Sequence, residues 1–191
     1  NYNNNAYRIS DETLHFNGES TLISLQNGGG KSVLVQMLTA PFVHPRYRNT
    51  KDRLFESYFT TNKPSFILVE WALDQGAGYV LTGLMVRKSQ DMEEDRKENL
   101  DIIGIVSEYQ SPCIQDIHHL PVVEKGKKEM ILKNFNSCRQ LFETYKKDRD
   151  MKFFYYDLTN YAQSRQYFDK LMEYQINYKE WETIIKKINL K

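Results

Sequence analysis

Asn27-Gly28-Gly29-Gly30-Lys31-Ser32, followed by Val33-Leu34-Val35-Gln36-Met37-Leu38, is the stretch on which the reading of the fold turns. Three consecutive glycines remove the Cβ atoms that would keep a ligand away from backbone N–H groups. The residues after the loop read as a helix stopped by Pro41, with its positive dipole end at the loop. The residues before it, 21–25, read as an apolar strand. A strand, a glycine loop, Lys-Ser and a helix in that order form a cradle for phosphate. Asn27, Gly28, Gly29, Gly30, Lys31, Ser32 and Val33 are therefore the expected nucleotide-binding residues. Lys31 is expected to reach the β- and γ-phosphates as the catalytic cation, and the Ser32 hydroxyl to ligate Mg²⁺. The complete Walker A pattern places Gly where this chain has Leu25. The plainer alternative is a glycine-rich turn that happens to precede Lys-Ser.

Outward from the loop, residues 13–16 and 20–25 read as two short strands around Asn17-Gly18, a two-residue hairpin signal. Residues 1–5 are polar and read as loose. Residues 42–58 are mixed and basic, irregular or partly helical. The runs 65–73 and 79–87, rich in aromatic and β-branched residues, flank Asp74-Gln75-Gly76-Ala77-Gly78 and form the clearest antiparallel hairpin. Residues 102–109 are expected to add a third strand, with short strands at 122–123 and 153–158. Residues 127–147 read as a helix, and 164–191 as helical with a break near Gln175-Ile176-Asn177. In the second half Tyr178, Trp181, Ile184 or Ile185, and Ile188 form an apolar seam, compatible with a coiled coil or with packing on the chain's own domain.

Composition sets outer bounds. With 191 residues and 22.7 kDa, the chain has the size of one domain with a small appendage. Lys plus Arg (26) nearly balances Asp plus Glu (25), which argues against a dedicated, strongly basic nucleic-acid module. No apolar run reaches the length of a membrane span, about 18 residues. The chain starts at Asn1 and ends inside a helical pattern, so a fragment of a longer protein is expected. Cys113 and Cys138 match no zinc or redox spacing, a usage that fits reduced thiols and a cytoplasmic location. The 13 Tyr and 10 Phe are read as packing residues.

The Asn-Gly-x-Gly-Lys-Ser form of residues 27–32 resembles the ABC-type P-loop ATPase heads of SMC, RecF and MukB-like proteins. The strand pair before the loop, the antiparallel meander after the first helix and the later helices are similar to the N-terminal lobe of such a head. Residues 174–181, Tyr-Gln-Ile-Asn-Tyr-Lys-Glu-Trp, resemble the exit toward the coiled-coil arm in MukB-like and Wadjet-type members. The resemblance implies an α/β fold with a mixed sheet, an antiparallel subsheet and C-terminal helices leading to an arm. Residues 1–160 would be the lobe and 161–191 the helical exit. It also implies ATP and Mg²⁺ as ligands, DNA as cargo and no membrane. The partners implied are a C-terminal lobe of the same protein, bearing the signature motif and Walker B, and a second head that closes the site as a homodimer. Alone, this chain would then be inactive.

Other candidates carry less. Phe66-Ile67-Leu68-Val69-Glu70 mimics Walker B but ends in Glu and suits a hairpin strand; Phe153-Phe154-Tyr155-Tyr156-Asp157 ends in Asp. If Asp157 served, the chain would be a self-contained kinase or GTPase on a mostly parallel sheet. A third possibility is a non-catalytic binding module. Gln75, Gln90, Gln110 and Gln115 are candidates for the loop glutamine of ABC heads. Arg46, Arg48, Lys51, Arg53 and Lys63 could meet phosphates or form a solvated face, and His118-His119 reads as a loop pair without metal.

Overall fold

The computed structural model describes residues 2–6, 8–9, 12–49, 53–89, 99–109, 123–125, 130–132 and 152–189. The strand β1 (Tyr2–Asn3) pairs with β2 (Arg8–Ile9). Helix α1 spans Lys31–Thr39. The main sheet contains β3 (Ser65–Ala72), β4 (Tyr79–Lys88), β5 (Leu100–Tyr109) and β8 (Lys152–Asp157), in that spatial order. A separate hairpin joins β6 (Val123–Lys125) to β7 (Met130–Leu132). Helices α2 (Tyr161–Glu173) and α3 (Tyr178–Asn189) close the chain. Among the described residues no helix is long and apolar enough to cross a membrane.

The β3–β4 hairpin forms where the apolar runs predict it. Its turn places Gln75, Gly76 and Gly78 at positive φ, and the Leu73 N–H donates to the Gly78 carbonyl at 2.9 Å. Successive side chains of a strand alternate between faces. Ile67, Leu84, Ile102 and Val106 thus share one face, and this face joins Phe42, Phe55, Tyr58 and Tyr167 in the core. Phe66, Leu81, Met85, Ile103 and Ile105 occupy the opposite face and are buried as well. Burial on both faces explains why these strands read as unbroken apolar runs. Met37 of α1 belongs to the same core, with Val33 packed against it.

Tyr167 of α2 sits at the centre. Its ring lies against Gly104 of β5, where an added Cβ would come within 2.6 Å of Cδ2. Its hydroxyl donates to the Pro41 carbonyl at 3.1 Å, which ties α2 to the end of α1. Burial pushes this hydroxyl far above the usual tyrosine range.

Several expectations need correcting. The sheet is not mixed among the described residues: every strand pair is antiparallel. The strand expected to feed the loop, a natural parallel member, is absent. Residues 13–16 and 20–25 form no ladder, although the turn between them is made, with Asn17 at φ 51°, Gly18 at φ 71° and the Glu19 N–H on the Phe16 carbonyl at 2.9 Å. Leu14, Phe16, Leu22 and Ile23 are all exposed, and two strands without a covering layer are marginal in water. Residues 130–132, expected within a helix, form β7, because Met-Ile-Leu finds a partner in Val123–Lys125. A short apolar run does not by itself distinguish the two states. The rest of 127–147 lies outside the described residues. Residues 2–5 are not loose: the Tyr2 hydroxyl donates to the Tyr58 carbonyl at 2.6 Å, and the Asn3 N–H to Ser65 Oγ at 2.8 Å.

The break between the last helices falls where expected, at Gln175 with φ 61°. Over the described residues α3 docks on its own domain. Trp181 packs against Phe42 with ring centroids 5.5 Å apart, and Tyr178 against Phe168 at 5.1 Å. Ile185 is buried while Ile184 is exposed.

Candidate functional site

The glycine loop has a defined shape. The Gly29 N–H donates to the Gln26 carbonyl at 2.9 Å, closing a turn over residues 26–29. Gly28, third in this turn, has φ 80°, the signature of a type II turn. Gly30 has φ 79° and caps α1. Gly28 and Gly30 are thus both left-handed, and the Gly29 N–H between them is engaged by the Gln26 carbonyl. Cβ atoms added at Gly28 or Gly30 would meet nothing within 4 Å, so the loop is uncrowded at both glycines. At Gly29 an added Cβ would lie 2.9 Å from the Gln26 carbonyl oxygen and 3.6 Å from Leu25 Cβ. Leu25, at the position of the missing Walker A glycine, therefore lies on the Gly29 side of the loop.

α1 begins at Lys31 and has neither a side-chain cap nor an acidic residue in its first turn. Its first backbone bond runs from the Leu34 N–H to the Gly30 carbonyl, at 2.9 Å. The N–H groups of Lys31, Ser32 and Val33 precede that bond, and helix geometry leaves such groups open to an anion. Lys31 Nζ reaches back across the loop to Asn27 Oδ1 at 3.4 Å. Residues 27–32 are exposed and Val33 is half-buried. All seven expected nucleotide-binding residues thus belong to one continuous, open loop and helix start. Gln26, whose carbonyl closes the turn, was not among them; the position before Asn-Gly was the only signal for it.

The far end of α1 is anchored. Arg48 is only 4% exposed, and its Nε donates to the Ala40 carbonyl at 3.1 Å. The basic cluster is therefore not one solvated face. Arg53 donates to Ser57 Oγ at 2.9 Å and lies 4.0 Å from the Tyr58 ring centroid. Arg46 and Lys63 are exposed, and Lys51 lies outside the described residues.

Asp157 ends β8, antiparallel to β5. Its Oδ1 accepts from the Thr159 N–H at 3.0 Å and the Thr159 hydroxyl at 2.6 Å. These bonds shape the turn into α2, where Asn160 caps the helix by accepting from the Gln163 N–H at 3.1 Å. Glu70 lies within the β3–β4 ladder, opposite Leu81. Gln75 sits in the hairpin turn. Gln90, Gln110, Gln115, Cys113, Cys138 and the His118-His119 pair lie outside the described residues. Among the described residues no cluster of His, Cys, Asp or Glu could by itself hold a metal ion.

Comparison with protein-family models, curated proteins and solved structures returned no match for this chain.

Proposed function

We propose that this chain is the ATP-binding N-terminal lobe of a split ABC-type ATPase head of the SMC, RecF and MukB-like class, working on DNA in the cytoplasm. The observation that carries the reading is the loop 26–33. It combines two left-handed glycines, an uncapped helix start and Lys31 held over the loop by Asn27. An exposed helix start without acidic residues favours an anion on electrostatic grounds. The donor set suits a nucleotide: backbone N–H groups and Lys31 would hold the β- and γ-phosphates. Mg²⁺ needs few protein ligands, and the Ser32 hydroxyl is one. When bound, Mg²⁺ supplies charge neutralisation to the phosphates. The residues of this chain bind and orient, and Lys31 offsets charge that develops on the γ-phosphate.

The reading includes a missing half. Among the described residues every strand pair is antiparallel, and Asp157 is engaged by Thr159. Residues 14–25 carry exposed Leu14, Phe16, Leu22 and Ile23 immediately before the loop. A C-terminal lobe that pairs with this segment would cover these side chains and bring Walker B. The signature motif would come from the second head of a homodimer. The antiparallel sheet disfavours a self-contained kinase or GTPase.

Titrating MgATP into the chain and into a Lys31→Ala variant tests the proposal. Binding lost in the variant, without turnover by either protein until a C-terminal lobe is added, is the expected result. Steady turnover by the chain alone, abolished by Asp157→Asn, would overturn the split-head reading. A nucleotide affinity unaffected by Lys31→Ala would remove the loop from the site.

A further inference from the structure

α3 rests on the rest of the molecule through a small set of contacts. Trp181 packs on Phe42 and Tyr178 on Phe168, with ring centroids 5.5 and 5.1 Å apart, and Ile185 is buried. Among the described residues one hydrogen bond ties α3 to the segment beneath it, from the His44 N–H to Glu182 Oε1 at 3.2 Å. The joint before α3 is closed on both sides by its own bonds. The N–H groups of Tyr174 and Ile176 donate to the Leu171 carbonyl, each at 3.1 Å, and Asn177 Oδ1 accepts from the Lys179 N–H at 3.2 Å. Gln175 lies between them at φ 61°. α3 can therefore swing about residues 175–177 while both helix ends keep these partners.

His44 stands at the centre of this contact. Its ring stacks on Phe168 with centroids 6.0 Å apart, and its Nδ1 accepts from the Arg46 N–H at 3.4 Å, capping the turn Pro45–Tyr47. The Tyr47 ring at the end of that turn lies under Lys186 of α3, 4.6 Å from Nζ to the centroid. A neutral imidazole can accept at Nδ1, whereas an imidazolium carries a proton on both nitrogens and cannot. The charged groups facing His44 are Arg46 and Arg48 from its own segment and Glu182 from α3, with Lys186 beyond Tyr47; Phe168 of α2 brings no charge. Burial first, then Arg46, hold the imidazole below its ordinary range against the pull of Glu182. The docked arrangement is thus built around a neutral ring.

We infer that His44 is a proton-operated latch for α3. The neutral ring holds the turn 45–47 in the shape on which α3 docks. Protonation at Nδ1 removes the acceptor for the Arg46 N–H, sets a third cation beside Arg46 and Arg48, and frees α3 to swing about residues 175–177. Release uncovers Phe42 and Phe168 on one side and Tyr178, Trp181 and Ile185 on the other, so mild acidification exposes apolar side chains that are covered at neutral pH. Nothing in this latch depends on what the glycine loop holds.

The test is hydrogen exchange of the intact chain, read by mass spectrometry on peptides from α3 and from β4 over a series from about pH 7.5 to 4.5 and corrected for intrinsic exchange rates. Protection of α3 should fall about fivefold or more relative to β4 as the pH drops, the lower end of ordinary coupling between two events. His44→Asn places an amide oxygen where Nδ1 stands and does not titrate, so its α3 should stay protected throughout. Glu182→Gln keeps an acceptor for the His44 N–H but removes the charge that favours the imidazolium, so its transition should move to lower pH. Protonation of the His44 ring, followed by NMR, should share its midpoint with the opening of α3. Loss of protection in step for α3 and β4 would overturn the latch. So would a pH response that survives in His44→Asn, or one that Glu182→Gln abolishes over the whole series, since either makes a group other than His44 the sensor. An α3 left unprotected at every pH in His44→Asn, with β4 still protected, would reduce the imidazole to a packing element and refute the latch as well.

Discussion

Replacing Gly104 with alanine tests the packing at the centre of the molecule. The added methyl would lie 2.6, 2.9 and 3.0 Å from Cδ2, Cε2 and Cγ of Tyr167. These are atoms of a rigid ring, not the end of a flexible chain. The ring is fully buried, its hydroxyl is held by the Pro41 carbonyl at 3.1 Å, and Phe168 packs edge-on with centroids 5.3 Å apart. Retreat would therefore break a buried hydrogen bond or disturb a second ring. Overpacking of this kind costs about 1–3 kcal/mol. Alanine recovers roughly 0.5–1 kcal/mol of backbone entropy that glycine forfeits in a strand, so the expected net loss is about 1–2 kcal/mol. Tyr167→Phe removes the hydroxyl and leaves the buried Pro41 carbonyl without this donor, a loss of about 1–3 kcal/mol. Once the hydroxyl anchor is gone the ring can shift, so the double variant should lose less than the sum of the singles. Urea unfolding followed by circular dichroism gives each value, read from the midpoint at constant m. A Gly104→Ala protein as stable as wild type, or strict additivity of the two changes, would refute this account of the core.

Trp181→Ala should cost about 2–3 kcal/mol, because the ring bridges α3 to Phe42, and hydrogen exchange should show α3 opening before the sheet. Leu22→Arg, at a side chain 94% exposed, should change stability by no more than about 0.5 kcal/mol, yet prevent association with a C-terminal lobe in a pull-down; a normal association would argue against residues 14–25 as the lobe contact. Alkaline titration should expose Tyr167. Its folded pKa is raised above the unfolded value near 10.0, so its contribution is fully present below pH 10 and is lost as pH climbs toward the folded pKa; Tyr167→Phe should flatten that loss in pH-dependent urea midpoints. His44 has the opposite sign, since burial, then Arg46, lowers its pKa from 6.5. Stability should therefore fall slightly as pH drops below 6.5, and His44→Gln should remove that part of the slope.

What the sequence determined by itself was local. The run 65–87 is legible as a hairpin because its apolar residues are continuous and its turn holds Gly76 and Gly78, which adopt positive φ without a Cβ penalty. The loop 27–32 is legible because glycine, Lys-Ser and a following helix are contiguous. The helix break at Gln175 and the helix stop before Pro41 are equally local. Tertiary structure decided the rest. Residues 13–25 have the pattern of strands but no covering layer, so they make the Asn17-Gly18 turn without a ladder. Residues 130–132 took the strand state because Val123–Lys125 pairs with them. Arg48 read as one more surface cation until the Ala40 carbonyl and the Phe55 ring received it. On α3 the spacing allowed either Ile184 or Ile185 inward, and docking on Phe42 and His44 selected Ile185. The meeting of Gly104 with Tyr167, and of Tyr167 with Pro41, joins residues far apart in the chain. Periodicity reports which face of an element is apolar, whereas the identity of the surface that covers it depends on contacts between distant segments, and those exist only once the chain has folded.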